Sequence, residues 1–115
     1  MNYISGCAKL GKDVRVGEFS VIEDDVVIGD NCTIGHHVVI HRGSVIGNNV
    51  RIDDHTVIGK QPMRAATSIF KEKGEKEQPP CRIGDDCTIG TSSIIYAGAE
   101  IKNGCLVADL ATVRE

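Results

Sequence analysis

The sequence predicts an all-β fold of short strands and tight turns repeated at a fixed period, on the strength of three observations. Ile and Val supply 26 of the 115 residues and Gly another 13, which suits β-branched strands and tight turns better than helices. Large aliphatic side chains recur every six positions. Between them stand residues that tolerate left-handed backbone or bond their own backbone. Four aromatics and no Trp make an ordinary mixed core a poor fit.

The elements follow in order. Stepping by six from Ile4 meets Leu10, Val16, Ile22, Ile28, Ile34, Ile40, Ile46, Ile52 and Ile58 without a miss. Two places before each next aliphatic comes a small or β-branched residue: Ala8, Val14, Ser20, Val26, Cys32, Val38, Ser44, Val50, Thr56. A strand has a period of two, so both members of each pair face one side of one short strand. The positions between read Glu23-Asp24-Asp25, Gly29-Asp30-Asn31 and Gly47-Asn48-Asn49, which are turns. A second run follows an interruption: Ile83, Ile89, Ile95, Ile101, Val107 and Val113, with Cys87, Ser93, Ala99, Cys105 and Ala111 at the small positions. An amphipathic helix is excluded because no 3.6-residue period exists.

Composition excludes several classes. With 13 basic and 16 acidic residues the net charge is −3, and no electrostatic pull toward nucleic acid is expected. No apolar run approaches the roughly 20 residues of a membrane span. The start, Met1-Asn2-Tyr3-Ile4-Ser5-Gly6-Cys7, has a superficial lipoprotein-box look but lacks a charged n-region and an apolar h-region, so a cytoplasmic location is expected. Five cysteines, an odd number without a CxxC pair, argue against a disulfide framework or a structural zinc site. Cys32, Cys81, Cys87 and Cys105 fall at inward small positions, which leaves Cys7, at a turn, as the reactive thiol to consider.

The repeated aliphatic, often followed by Gly, then two variable residues and a small one, resembles the hexapeptide-repeat family. That resemblance implies a left-handed parallel β-helix with triangular coils of eighteen residues, stacked at roughly 4.8 Å. It also implies a homotrimer with active sites between subunits. The expected organisation is one domain over 1–115, with coils 1–59 and 83–115 and an inserted, projecting loop 60–82. The chain stops three residues into a hexapeptide, at Val113-Arg114-Glu115. Relatives continue for several coils, so C-terminal coils and a cap are expected to be absent.

If residues eighteen apart stack, all four histidines fall on two corners. One stacks Gly17-Glu18-Phe19, Gly35-His36-His37 and Asp53-Asp54-His55; the next stacks Glu23-Asp24-Asp25, His41-Arg42-Gly43 and Gly59-Lys60-Gln61. The strand between them turns Val21, Val39 and Val57 outward, whereas the strand before carries Arg15, Thr33 and Arg51. An apolar outer stripe marks a protein interface. If the interruption only enlarges one turn, Ile83 takes the place of position 64 and Ile94 extends the valine stripe.

Three functional readings remain open. The segments Ile58-Gly59-Lys60-Gln61-Pro62-Met63-Arg64-Ala65, Ile89-Gly90-Thr91-Ser92-Ser93-Ile94-Ile95-Tyr96-Ala97-Gly98 and Val107-Ala108-Asp109-Leu110-Ala111-Thr112-Val113-Arg114-Glu115 resemble bacterial sugar acyltransferases. The resemblance implies acyl transfer from acetyl-CoA or another acyl-CoA to a sugar or nucleotide-sugar amine or hydroxyl, for surface polysaccharides, with no metal. His36, at the second turn position such enzymes often use, is the first choice of general base, with His41 and His55 next. Asp54 is expected to orient His36 or raise its basicity, and backbone N–H groups of the turns to serve as oxyanion donors. The interruption holds six basic residues against three acidic ones, and its Lys60 and Arg64 are the candidates for coenzyme or nucleotide phosphates. The second reading takes His36 and His41, a His-x4-His pair, as two ligands of a γ-class carbonic-anhydrase-like metal site shared between subunits, with His55 as a possible third. In the third, the chain is a non-catalytic assembly module or fragment and its histidines are polar turn residues.

Overall fold

The structure, a computed structural model, describes residues 1–63 and 77–115. Among these, strands of two to four residues are the whole of the regular structure. They form three parallel sheets. Sheet A takes Tyr3–Ile4, Val21–Ile22, Val39–Ile40, Val57–Lys60, Ile94–Tyr96 and Thr112–Val113 in that order. Sheet B takes Lys9–Leu10, Val27–Ile28, Val45–Ile46, Arg82–Ile83 and Glu100–Ile101; sheet C takes Arg15–Val16, Thr33–Ile34, Arg51–Ile52, Thr88–Ile89 and Leu106–Val107. The chain visits the three sheets in rotation, which makes it a parallel β-helix of the left-handed hexapeptide kind.

Register follows the expected eighteen-residue step: Tyr3 pairs with Val21, Val21 with Val39 and Val39 with Val57. Beyond the interruption Ile83 pairs with Ile46 and Ile94 with Val57, so the valine stripe on sheet A continues. The edges of the expected 60–82 loop belong to strands: Lys60 ends one and Arg82 begins the next.

The core is a stack of isoleucines, among them Ile22, Ile40, Ile58 and Ile95, each fully buried. Small residues fill the corners between them, and where these are Ser or Thr the hydroxyl is used. Ser20 Oγ donates to Gly35 O at 2.8 Å, Thr56 Oγ1 to Gly90 O at 2.8 Å and Ser93 Oγ to Ala108 O at 2.9 Å. Each bond ties a buried hydroxyl to the turn of the following coil, as burial of a polar group requires. Cys32, Cys81 and Cys87 are buried as expected, but Cys105 is exposed. Its strand is the last of sheet C, so no coil covers it.

Turn chemistry shows why Asp and Asn crowd these positions. The third turn residue is left-handed at Asp13, Asp25, Asn31, Asn49 and Asp86, with φ between 58° and 61°, a conformation Asp and Asn bear more easily than other side chains. The second turn residue completes a ladder between coils. Backbone N–H groups of Lys12, Asp30, Asn48 and Asp85 donate at 2.8 Å to the side-chain oxygens of Asp30, Asn48, Asp85 and Asn103.

Candidate active site

The first histidine corner follows this ladder. His36 stands at the second turn position, where its Nδ1 accepts the Glu18 N–H at 2.7 Å and its own backbone N–H donates to Asp54 Oδ1 at 2.8 Å. A neutral imidazole whose Nδ1 accepts carries its proton on Nε2, so the nitrogen left over is a donor. Asp54 therefore does not orient the ring, contrary to expectation: its carboxylate holds the backbone, as the ladder demands. His37 and His55 occupy the left-handed third position, φ 53° and 61°. Their rings stack at 4.9 Å, and His37 stacks on Phe19 at 5.3 Å.

The second corner breaks the ladder. His41 follows the buried Ile40 and its Nδ1 lies 3.1 Å from Glu23 Oε1, which also accepts the Arg42 N–H at 3.0 Å. A carboxylate accepts only, so Nδ1 carries a proton, and in the neutral imidazole Nε2 then keeps a lone pair. Both side chains are about two-fifths exposed. The His41 backbone is held from three sides: its N–H donates to Ile58 O at 2.8 Å, and its carbonyl accepts from the Ser44 N–H at 3.2 Å and Ser44 Oγ at 2.8 Å. Position and tautomer are thus defined on a His41 side chain that is partly exposed.

An open cleft of about 860 Å³ lies here, lined by Tyr3, residues 23–25, 41–43 and 59–61, Glu77, Gln78 and Pro80. Its far wall arises from an irregularity. The Val57–Lys60 strand slips register against Ile94–Tyr96 after Ile58, so Lys60 and not Gly59 pairs with Tyr96. Gly59 absorbs the extra residue at φ 83°, and a Cβ there would run into the Ser44 hydroxyl. Bulges of this kind re-aim side chains beside sites. Gln61 then clasps the returning chain: its Nε2 donates to Gln78 O at 3.0 Å and its Oε1 accepts the Gln78 N–H at 3.1 Å.

Of the residues singled out in the sequence, His41 and Lys60 meet in this cleft, whereas His36, Asp54 and His55 belong to the neighbouring corner. Arg64 lies outside the described residues. The expected oxyanion donors are engaged at this corner, since the Arg42 N–H binds Glu23 and the Gly43 N–H donates to Asp24 O at 3.1 Å. Glu23 was missed in the sequence, although its place eighteen positions before His41 is the signal that finds it. Among the described residues no three His, Cys, Asp or Glu side chains are gathered to hold a metal ion. Cys7 is exposed, while burial pushes the Cys81 thiol up to about 12. No described helix is long and apolar enough to cross a membrane.

Comparison with known proteins adds the following. Residues 7–42 and 80–115, more than half of the chain, match the bacterial transferase hexapeptide family (six repeats). No curated protein matches the chain. Among solved structures it is similar to a mutant of perosamine N-acetyltransferase from Caulobacter crescentus in complex with CoA and GDP-perosamine, with a TM-score of 0.80 and 20% identity over 99% of this chain and 45% of that one. It is also similar to AntD, an N-acyltransferase from Bacillus cereus in complex with dTDP and 3-hydroxybutyryl-CoA, with a TM-score of 0.58 and 18% identity over 99% of this chain and 70% of that one. At these identities the likeness establishes the fold. The chain spans less than half the length of the first of these structures.

Proposed function

The chain belongs to the bacterial transferase hexapeptide family, and we propose that it serves acyl transfer from an acyl-CoA to the amine or hydroxyl of a nucleotide-linked sugar. The observation that carries this reading is the Glu23–His41 pair at the edge of the cleft. In it, His41 Nε2 takes the proton of the acceptor amine as the nitrogen attacks the thioester carbonyl. The C–N bond forms, the C–S bond breaks, and the proton passes to the departing thiolate of coenzyme A. Glu23 stabilises the imidazolium that forms between these steps, the role a carboxylate plays on Nδ1 of a catalytic histidine. His41 is preferred to His36 because the Nδ1 lone pair of His36 is spent on a backbone N–H.

The likeness to two structures in complex with CoA species and with GDP-perosamine or dTDP supports the substrate class. A cytoplasmic location and a place in surface-polysaccharide synthesis go with it. The half-exposed row Val21, Val39, Val57 and Ile94 on sheet A supports a homotrimer formed through that face. The test is thiol release from acetyl-CoA in the presence of a panel of nucleotide-linked amino sugars. Turnover with one or more of them, lost in His41→Gln, is expected; no release with any acceptor overturns the reading.

A further inference from the structure

The column that begins with Glu23 and His41 continues along the helix. From Ile22 onward, the residue after each inward aliphatic of sheet A is in turn Glu23, His41, then Lys60 across the bulge, Tyr96 and Arg114. Lys60 Nζ lies 6.0 Å and Arg114 Cζ 4.3 Å from the centroid of the same Tyr96 ring, one cation from the coil before and one from the coil after. The Lys60 carbonyl accepts the Ala97 N–H at 2.8 Å, which holds the bulged residue in place above the ring. A tyrosine face attracts a cation, and one ring holding two leaves them repelling each other. Glu115 Oε1 pairs with Arg114 Nε at 3.6 Å, an ion pair beyond hydrogen-bond length. Lys60 also lines the cleft, together with Glu23, Asp24, Asp25 and Glu77, whereas Tyr96 and Arg114 stand beyond its lining. The charge along the column therefore runs from acidic to basic, and a bound ligand with an anionic group orients that group toward Lys60 and Arg114.

We propose that Lys60, Tyr96 and Arg114 form an anion site that takes a diphosphate, with Lys60 and Arg114 donating to its two phosphoryl groups around the phenol. Arg114 presents a planar fork suited to one phosphoryl group and Lys60 a point charge suited to the other. The site rests on the acyl-transfer reading only in that His41 then marks the ligand's reacting end. Both a nucleoside diphosphate and coenzyme A carry this chemistry.

Equilibrium binding of inorganic pyrophosphate by the full chain tests it. Arg114→Gln and Lys60→Gln are each expected to weaken binding about tenfold or more, the loss of a charged hydrogen-bond donor. Arg15→Gln, on the outer face of sheet C, is expected to leave it unchanged, and circular dichroism checks that all three variants fold. Equal affinity in the parent and all three variants, or no pyrophosphate binding at millimolar concentration, overturns the site. dTDP and coenzyme A, measured on the same variants, identify the source: the one weakened by Arg114→Gln is the ligand whose diphosphate sits here. Pyrophosphate binding that depends on Arg114 in a chain without acyl transfer keeps the site and removes the reading above. Transfer with Arg114-independent binding does the reverse.

Discussion

Two corners of one helix, separated by a single strand, both carry histidines, and they use them in opposite ways. At the corner of His36, His37 and His55 the histidines continue the repeat. His36 stands in for Asp or Asn in the turn ladder, and His37 and His55 stack on one another. At the corner of His41 the repeat fails. A glutamate binds the ring, a glycine bulge displaces Lys60, and the returning chain at Gln78 closes a cleft. Regularity satisfies side chains on the helix itself, so a group with chemistry to spare is found where regularity breaks. A histidine is no better a candidate for being in a turn; it is better when its partner leaves Nε2 unprotonated.

The sharpest way to break the comparison is to exchange the corners. His41→Gln is expected to lower kcat by about two to four orders of magnitude. His36→Asn keeps an acceptor for the Glu18 N–H and is expected to leave kcat near that of the parent; steady-state kinetics on the two variants, with the opposite ranking, would move the base to the first corner. Next in size is the bulge. Gly59→Ala forces a side chain into a left-handed position and against Ser44, at a cost of about 2–3 kcal/mol. Urea unfolding should show a lower midpoint at unchanged slope, and an unshifted midpoint would mean that the bulge relaxes.

Glu23→Gln tests the pair itself. It removes the charge on Nδ1 while keeping the size of the side chain, so kcat is expected to fall about 10- to 100-fold with little change in KM. A change confined to KM would make Glu23 a binding residue. The smallest effect near neutrality comes from Cys81, buried in the core beside the second corner. Its folded value of about 12 stands above the unfolded thiol value of about 8.5. The neutral thiol is the folded form, so its contribution is complete below about pH 8.5 and is lost as pH rises toward 12. Denaturant midpoints measured across that range in the parent and in Cys81→Ala should differ in slope with pH, and parallel curves would exclude it.

Much of the fold was legible because its determinants are local. A six-residue period of aliphatics and a strand period of two set which side chains face inward, and eighteen residues per coil followed from the family resemblance. The jump from Val57 to Ile94 could be counted on the same grid. The same grid placed His36 beside Asp54 and His41 beside Glu23, but proximity alone does not say which atoms meet. Asp54 binds a backbone N–H because the turn ladder claims its carboxylate; Glu23 binds the His41 ring and the Arg42 N–H because its longer side chain reaches past the turn. Cys105 looked buried by its position in the repeat, and burial depends on a neighbouring coil, which the repeat cannot report.

By itself, then, the sequence determined by spacing which side chains face inward and where the turns lie, and with the eighteen-residue coil that the family resemblance implies, the register, the apolar stripe and the two corners where chemistry could lie. Only the tertiary structure decided which histidine keeps a free basic nitrogen, where Lys60 goes after the bulge at Gly59, and that Lys60 and Arg114 share one ring. Those outcomes depend on which side-chain atoms reach one another between coils, and a hydrogen bond or a ring contact is set by the direction and length of side chains eighteen or more residues apart.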